Sequence, residues 1–326
     1  MSQIMYWQAL NRALDAEMAD DETVFTLGED VGLYGGTYKV TEGLLAKYGE
    51  WRVRDTPISE NSFTGLGVGA AMVGLRPVVE IMTINFALLA LDALINMAAK
   101  IPFMSGGQFP MPLTLRMPGG VARQLGAQHS QRLEHTLMNV PGLRIAVPAT
   151  PQDAYWQLRQ AIRSDDPVVV LEHELLYFVK DEVDEVAAAP AIHQAVERRS
   201  GLHLTCIVYS RMLPLALQAA QALSKENIEM AVIDLRSLSP IDWDTCVASV
   251  NKTHHCLIVE EDCHFAGAGA EIAATLQERC FYLLDAHIQR LGGLDLPTPF
   301  NRNLESGSIP RVEDILSAAR QMVASS

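Results

Sequence analysis

Ile4, Trp7, Leu10, Leu14 and Met18 recur at three- and four-residue intervals, which predicts an amphipathic helix near the start of the chain. The run TVFTLG that follows is rich in β-branched and apolar residues and closes on glycine, so it reads as a strand. Three further runs, Arg76–Met82, Pro112–Met117 and Asp166–Glu172, are apolar without a polar alternation. That pattern predicts strands of a parallel sheet covered on both faces. Helical patterns fill 85–100 and 151–163, and the second opens on Thr150-Pro151-Gln152-Asp153, a hydroxyl cap, a first-turn proline and an acid. The stretch 180–200 is acidic, then alanine-rich, then charged, and reads as a crossing between domains. LTCIVYS, MAVIDLRS and HHCLIVEED then recur with helical patterns between them, as in βα units, and 312–322 closes the chain as a helix. The expectation is an α/β chain of two parallel-sheet domains, 1–185 and 201–326, joined by a linker at 186–200.

Composition narrows the function classes. The formal net charge is -14, which a nucleic-acid backbone would repel. The five cysteines are scattered and form no CxxC pair, so reduced thiols in a cytoplasmic setting are expected, with no disulfide framework or zinc site. The acidic, amphipathic start reads as neither signal nor transit peptide. The apolar stretch from Phe86 to Leu91 is interrupted soon after by Asp92 and Lys100, too short for a membrane span.

Glu60 stands just before a run of small residues, Gly65, Gly67, Gly69, Ala70 and Ala71, which permits close approach by another backbone or a ligand. By itself Glu60 reads as a helix-capping acid favoured by the helix dipole. GLGVGAAMVG lacks the strand that should lead directly into its first glycine, so it is not a dinucleotide fingerprint. His129 follows the glycine-bearing loop 118–120 after a strand, a usual place for catalysis and equally for a hydrogen-bonded loop histidine. Phe86 in isolation reads as core. His254, His255 and the run 260–264 are of metal-ligating types, yet each is accounted for as a strand-end polar group.

The ordered set TPISENSFTGLGVGAAMVGLRPVVEIMTINF, Met104-Ser105-Gly106-Gly107-Gln108, AQHSQ, VPGL, Ala149-Thr150-Pro151, DPVVVLEHELLY, YSRM and VIDLRSLSPID resembles the beta subunits of thiamine-diphosphate-dependent 2-oxo acid dehydrogenases, those acting on pyruvate in particular. The resemblance spans nearly the whole chain. It implies a thiamine-binding, pyrimidine-type domain followed by a transketolase C-terminal-like domain. It implies that Glu60 meets the pyrimidine ring nitrogen, that Phe86 stacks on that ring with Met82 beside it, and that His129 faces substrate and the lipoyl arm. Glu29 matches an acid in a water-filled passage between paired sites. Leu113, Ala161, Ser164 and Asp166 match oxygens that hold a monovalent cation, normally potassium. The coenzyme's own amine becomes a base only when the far ring nitrogen receives a proton, so a carboxyl is required in a dry place; Phe63, Val68, Met82 and Phe86 can wall it.

No Gly-Asp-Gly occurs in the chain, although the resembled superfamily uses that motif to hold diphosphate through magnesium. An alpha subunit is therefore expected to bring the metal and complete an alpha2-beta2 heterotetramer. The resemblance also implies docking of the basic subunit-binding domain and the lipoyl domain of a dihydrolipoyl acyltransferase, which the acidic surface suits. The implied reaction is oxidative decarboxylation of pyruvate with reductive acetylation of the lipoyl group, on the way from glycolysis to acetyl-CoA. Acetoin or a branched-chain 2-oxo acid as substrate, and a non-catalytic scaffold subunit, are the competing readings.

Overall fold

The computed structural model describes residues 2–121 and 123–324. Two compact units are present, Met1–Gly119 with Thr136–Ile192, and Gly120–His135 with His193–Ser326. In the first, β1 (Ser2–Met5) leads into α1 (Tyr6–Asp20), then β2 (Val24–Gly28), the short α2 (Leu44–Tyr48) and β3 (Val53–Asp55). Next come α3 (Glu60–Met72), β4 (Arg76–Glu80), α4 (Ile101–Met104), β5 (Thr114–Gly119), α5 (Glu134–Met138), β6 (Arg144–Ala146), α6 (Pro151–Arg163), β7 (Val168–His173) and β8 (Lys180–Val183). All pairs within the order β6-β7-β5-β4-β2-β3 are parallel, while β1 and β8 form a separate antiparallel pair.

The apolar stripe read from the sequence is what α1 buries. Leu10, Leu14 and Met18 are sealed against Ala154, Leu158 and Ile162 of α6 and against Val78, Val168 and Val170 of the sheet. Each such leucine stabilises the fold by about 1.5–3 kcal/mol relative to exposure. Thr150 accepts at its side chain from the Asp153 N–H at 3.1 Å, so the predicted cap of α6 forms. The small-residue run of α3 divides its work: a Cβ on Gly67 would stand 2.7 Å from Val79 Cγ2, so glycine there lets the helix lie directly on β4. Gly65 and Gly69 face open space.

The regular helix expected over 85–100 is not what forms. Residues Ile84–Ala90 make a 3-10 helix and Asp92–Ala98 a π-helix, with a 61° bend between Ile84–Ala90 and Asp92–Met104. The Phe86 N–H bonds back three residues to the Thr83 carbonyl, and buried Asn85 donates to Thr83 Oγ1 at 2.6 Å. Apolar periodicity reports which face is buried, whereas these local bonds set how tightly the backbone winds.

The second unit holds β9 (Val196–Arg199), β10 (Leu204–Val208), α7 (Met212–Ser224), β11 (Met230–Asp234), β12 (Ser237–Ser239), α8 (Trp243–Thr253), β13 (Cys256–Cys263), α9 (Ala268–Cys280), β14 (Gln289–Gly293), α10 (Arg302–Gly307) and α11 (Val312–Ala324). Its sheet order is β14-β13-β10-β11-β9, parallel except for the antiparallel edge β9. The expected linker 186–200 is therefore partly structured. Ile192 packs on the core of the first unit, its carbonyl taking the Gln157 side chain at 2.9 Å, and 196–199 forms the edge strand. All five cysteines are free thiols. No single helix among the described residues is long and apolar enough to cross a membrane.

Candidate functional site

In the first sheet β2 is flanked by β3 on one side and β4 on the other. The chain leaves β2 toward β3 and leaves β4 in the opposite direction toward β5, so the strand order reverses between β2 and β4. Loops diverge beyond the carboxyl ends at such a point and leave a crevice, the usual ligand position of an open α/β sheet. Glu29 directly follows β2, Glu60 opens α3 after β3, and Met82 and Phe86 follow β4. Four candidates separated by 57 positions in sequence thus come to one edge of the sheet.

Glu60 is 3% exposed, and no protein hydrogen-bond donor meets its carboxyl among the described residues. Glu60 is the first-turn acid of α3, where the helix dipole favours it, but no side-chain cap bond forms there, and Ser59 Oγ instead meets Ser62 Oγ at 2.7 Å. A buried carboxyl with no donor is costly unless something else supplies one. Glu29 has the same character. It is buried, its Oε1 lacks a partner, and its pKa is raised by burial first and then by the charge of Glu60. Met82 and Phe86 are partly buried. Asp55 fixes the β2 loop beside them by accepting from the Gly32 N–H at 2.6 Å and the Leu33 N–H at 3.2 Å. Gly32 is required there, since a Cβ would stand 2.7 Å from that carboxylate.

Beneath this edge lies a charged group that pattern reading missed. Arg116 of β5 pairs with Glu80 of β4 and, at 2.7 Å, with Glu172 of β7, and all three are buried. Tyr177 donates to Glu172 as well. Burial raises the pKa of Glu80 and opposes the cationic form of Arg116, but the two carboxylates outweigh that and hold the guanidinium charged. The available signal was a charged residue within each of three apolar strands, two acids and an arginine, and the register sets Glu80 opposite Arg116. Gly36 of the β2 loop packs over this group, with its Cβ position 3.4 Å from Glu80 Oε1.

The expected cation oxygens occupy the other edge of the same sheet. Leu113 precedes β5, Ala161 and Ser164 end α6, and Asp166 precedes β7. Oxygen-only donors at a helix carboxyl end suit a hard cation. These oxygens already have partners: Leu113 O accepts from Val168 N at 2.9 Å and Ala161 O from Ser164 N at 3.1 Å. Ser164 O accepts from Arg76 Nη1 at 3.0 Å, and Asp166 pairs with Arg144. A carbonyl retains a second lone pair after one such bond.

His129 belongs to the second unit, exposed at the end of a 3-10 turn Ala127–His129 whose own N–H bonds the Gly126 carbonyl at 3.2 Å. A cavity of about 270 Å³ adjoins the turn, lined by Ser130, Arg132, His135, Asp262, Cys263 and Thr298 among others. His135 Nδ1 and Asp262 Oδ2 lie 2.6 Å apart, and that bond raises the imidazole pKa. Glu134 is pushed up to about 8 by burial and by Asp262. His254, His255 and 260–264 make no metal-binding cluster among the described residues; Glu260 serves instead to accept from Gly269 N at 2.8 Å at the start of α9.

The chain matches the family Transketolase, pyrimidine binding domain, over residues 2–180 and Transketolase, C-terminal domain, over 193–315. A protein of Porphyra purpurea named pyruvate dehydrogenase E1 component subunit beta is 46% identical, covering 100% of this chain and 98% of its own. The mitochondrial subunit beta-2 of the same component in Oryza sativa is 48% identical over 96% of this chain and 85% of its own. Among solved structures, a split-gene transketolase described as an inactive beta4 tetramer superposes with a TM-score of 0.80 over 98% of both chains, at 21% identity, a likeness of fold.

Proposed function

The chain belongs to the beta-subunit family of the pyruvate dehydrogenase E1 component, a thiamine-diphosphate-dependent 2-oxo acid dehydrogenase, and from that premise we propose that Glu60 is the carboxyl that activates the coenzyme. The observation that carries this is the buried Glu60 carboxyl at a strand-order reversal, beside Glu29, whose Oε1 is buried without a partner. Thiamine diphosphate, when bound, supplies the electron sink for decarboxylation. Glu60 holds a proton toward a pyrimidine ring nitrogen, and Phe86 and Met82 flank the ring. Glu29, protonated more readily than a free carboxyl, exchanges protons with the crevice. His129 faces the substrate and serves the transfer of the acyl group to its lipoyl acceptor.

In this reading Leu113, Ala161, Ser164 and Asp166 hold a potassium ion that ties α6 to the starts of β5 and β7, a structural role far from the reacting edge. The diphosphate and its magnesium fall to an alpha subunit, consistent with the absence of Gly-Asp-Gly. Large apolar side chains left exposed around the crevice, Leu33 at 90%, Ile58 at 84% and Leu89 at 63%, support a partner that covers them, as an alpha2-beta2 heterotetramer would. The acyltransferase, with its basic subunit-binding domain and lipoyl domain, is the acceptor of the acetyl group. The five free thiols favour a reducing, cytoplasmic-type compartment; among the relatives, the Oryza sativa proteins include mitochondrial and chloroplastic forms.

The decisive experiment reconstitutes the chain with an alpha partner and compares carbon dioxide release from pyruvate, a branched-chain 2-oxo acid and acetoin cleavage. Pyruvate should be preferred. Stronger turnover of either rival substrate overturns the assignment, and normal turnover by Glu60→Gln overturns the role of that residue in favour of a scaffold.

A further inference from the structure

The segment carrying His129 is held by side chains remote in sequence. Arg123 and Gln124 both adopt φ of +59°, the left-handed region that non-glycine residues enter at a cost. A loop with two such residues in succession keeps its shape only where its surroundings determine it. Three contacts do so within the second unit. Glu305, 8% exposed in α10, accepts the Gln124 N–H at 2.9 Å. Glu261, 5% exposed in β13, accepts the Val121 N–H and is itself paired with Arg211 at 3.4 Å. Thr298 donates its hydroxyl to the Ser130 carbonyl at 3.2 Å, immediately after His129. Phe300 lies at contact distance, 3.9 Å, from the Cβ position of Gly126.

We propose that Glu305 is a positioning residue: with Glu261 and Thr298 it fixes the loop 121–131 and so sets where His129 presents its imidazole during acyl transfer. The inference rests on the assignment of His129 to acyl transfer made above. Both anchors on the amino side are carboxylates receiving main-chain N–H groups, stronger than neutral pairs.

The test uses the complete complex with its alpha partner. Glu305→Ala should speed amide hydrogen exchange across 121–131 by about tenfold, the scale of losing one charge-assisted hydrogen bond. It should slow acetylation of a free lipoyl domain by about the same factor, while decarboxylation read with ferricyanide stays within about twofold. Glu305→Gln keeps an oxygen acceptor and should restore both readouts. Thr298→Val, which removes one donor at constant volume, should loosen the same segment should Glu305→Ala not fold. Unchanged exchange in both variants overturns the anchoring, and a loosened loop with normal acetylation overturns its link to the reaction. Equal loss of both partial reactions overturns it too. His129→Ala is measured in parallel: full acetylation there refutes the role of the histidine, whereas the exchange result judges the anchor independently.

Discussion

Glu60→Gln replaces an ionisable carboxyl by an amide of nearly the same volume, which isolates proton transfer from packing. Decarboxylation should fall by about 10²–10⁴-fold, the range of a positioned acid-base group, while the heterotetramer assembles as before. Stopped-flow carbon dioxide release together with sedimentation of the complex distinguishes the two. Arg116 makes a second residue-scale case. Arg116→Ala would leave Glu80 and Glu172 buried without their shared cation, and loss of one partner of a buried pair costs about 3–5 kcal/mol. Urea denaturation should show that loss with little change in m. Glu60 was singled out by the ordered motifs around it, since its local pattern alone reads as a helix-capping acid. Arg116 was not, because its meaning lies in the strands on either side of it.

At the scale of elements, the turn into α5 and the end of β13 predict a pH dependence. Glu134 titrates near 8 in the fold and Glu260 is pushed up to about 7, both chiefly through burial. A free glutamate titrates at about 4.3, so between those values the folded chain binds protons that the unfolded chain has released. Their stabilising contribution is complete below about pH 4.3 and is lost as the pH rises through about 8. Melting temperature should therefore decline from pH 5 to 8, and Glu134→Gln should flatten that slope; an unaltered slope in the variant removes Glu134 from the account. The helix expected at 85–100 failed at this scale for a related reason. Apolar spacing identified the buried face, but local bonds at Thr83 and Asn85 open a 3-10 turn, and a π-helix follows it.

For the whole molecule, the proposed reading places chemistry at the carboxyl ends of the first sheet and a structural cation at its amino ends. If potassium ties α6 to β5 and β7, exchanging potassium for choline at constant ionic strength should lower the melting temperature of the first unit by about 2–4 °C, the shift that about 1 kcal/mol produces in a unit of that size class. An identical melting curve in the two salts would remove the cation from Leu113, Ala161, Ser164 and Asp166. Arg76 and Arg144 already lend positive charge to those oxygens, which keeps the expected shift small.

The sequence by itself determined the α/β class, the two successive sheets, the amphipathic helices and the family, because periodicity and ordered motifs are carried by near neighbours along the chain. It also showed what the chain lacks, a Gly-Asp-Gly diphosphate site. Only the tertiary structure decided that β2 sits between β3 and β4, and hence that Glu29, Glu60, Met82 and Phe86 share one edge. Strand order is set by which buried faces and crossovers fit together, not by any residue's immediate surroundings. The same holds for the loop of His129: its strained backbone is stable only because Glu261, Thr298 and Glu305, more than 130 positions away, fold against it.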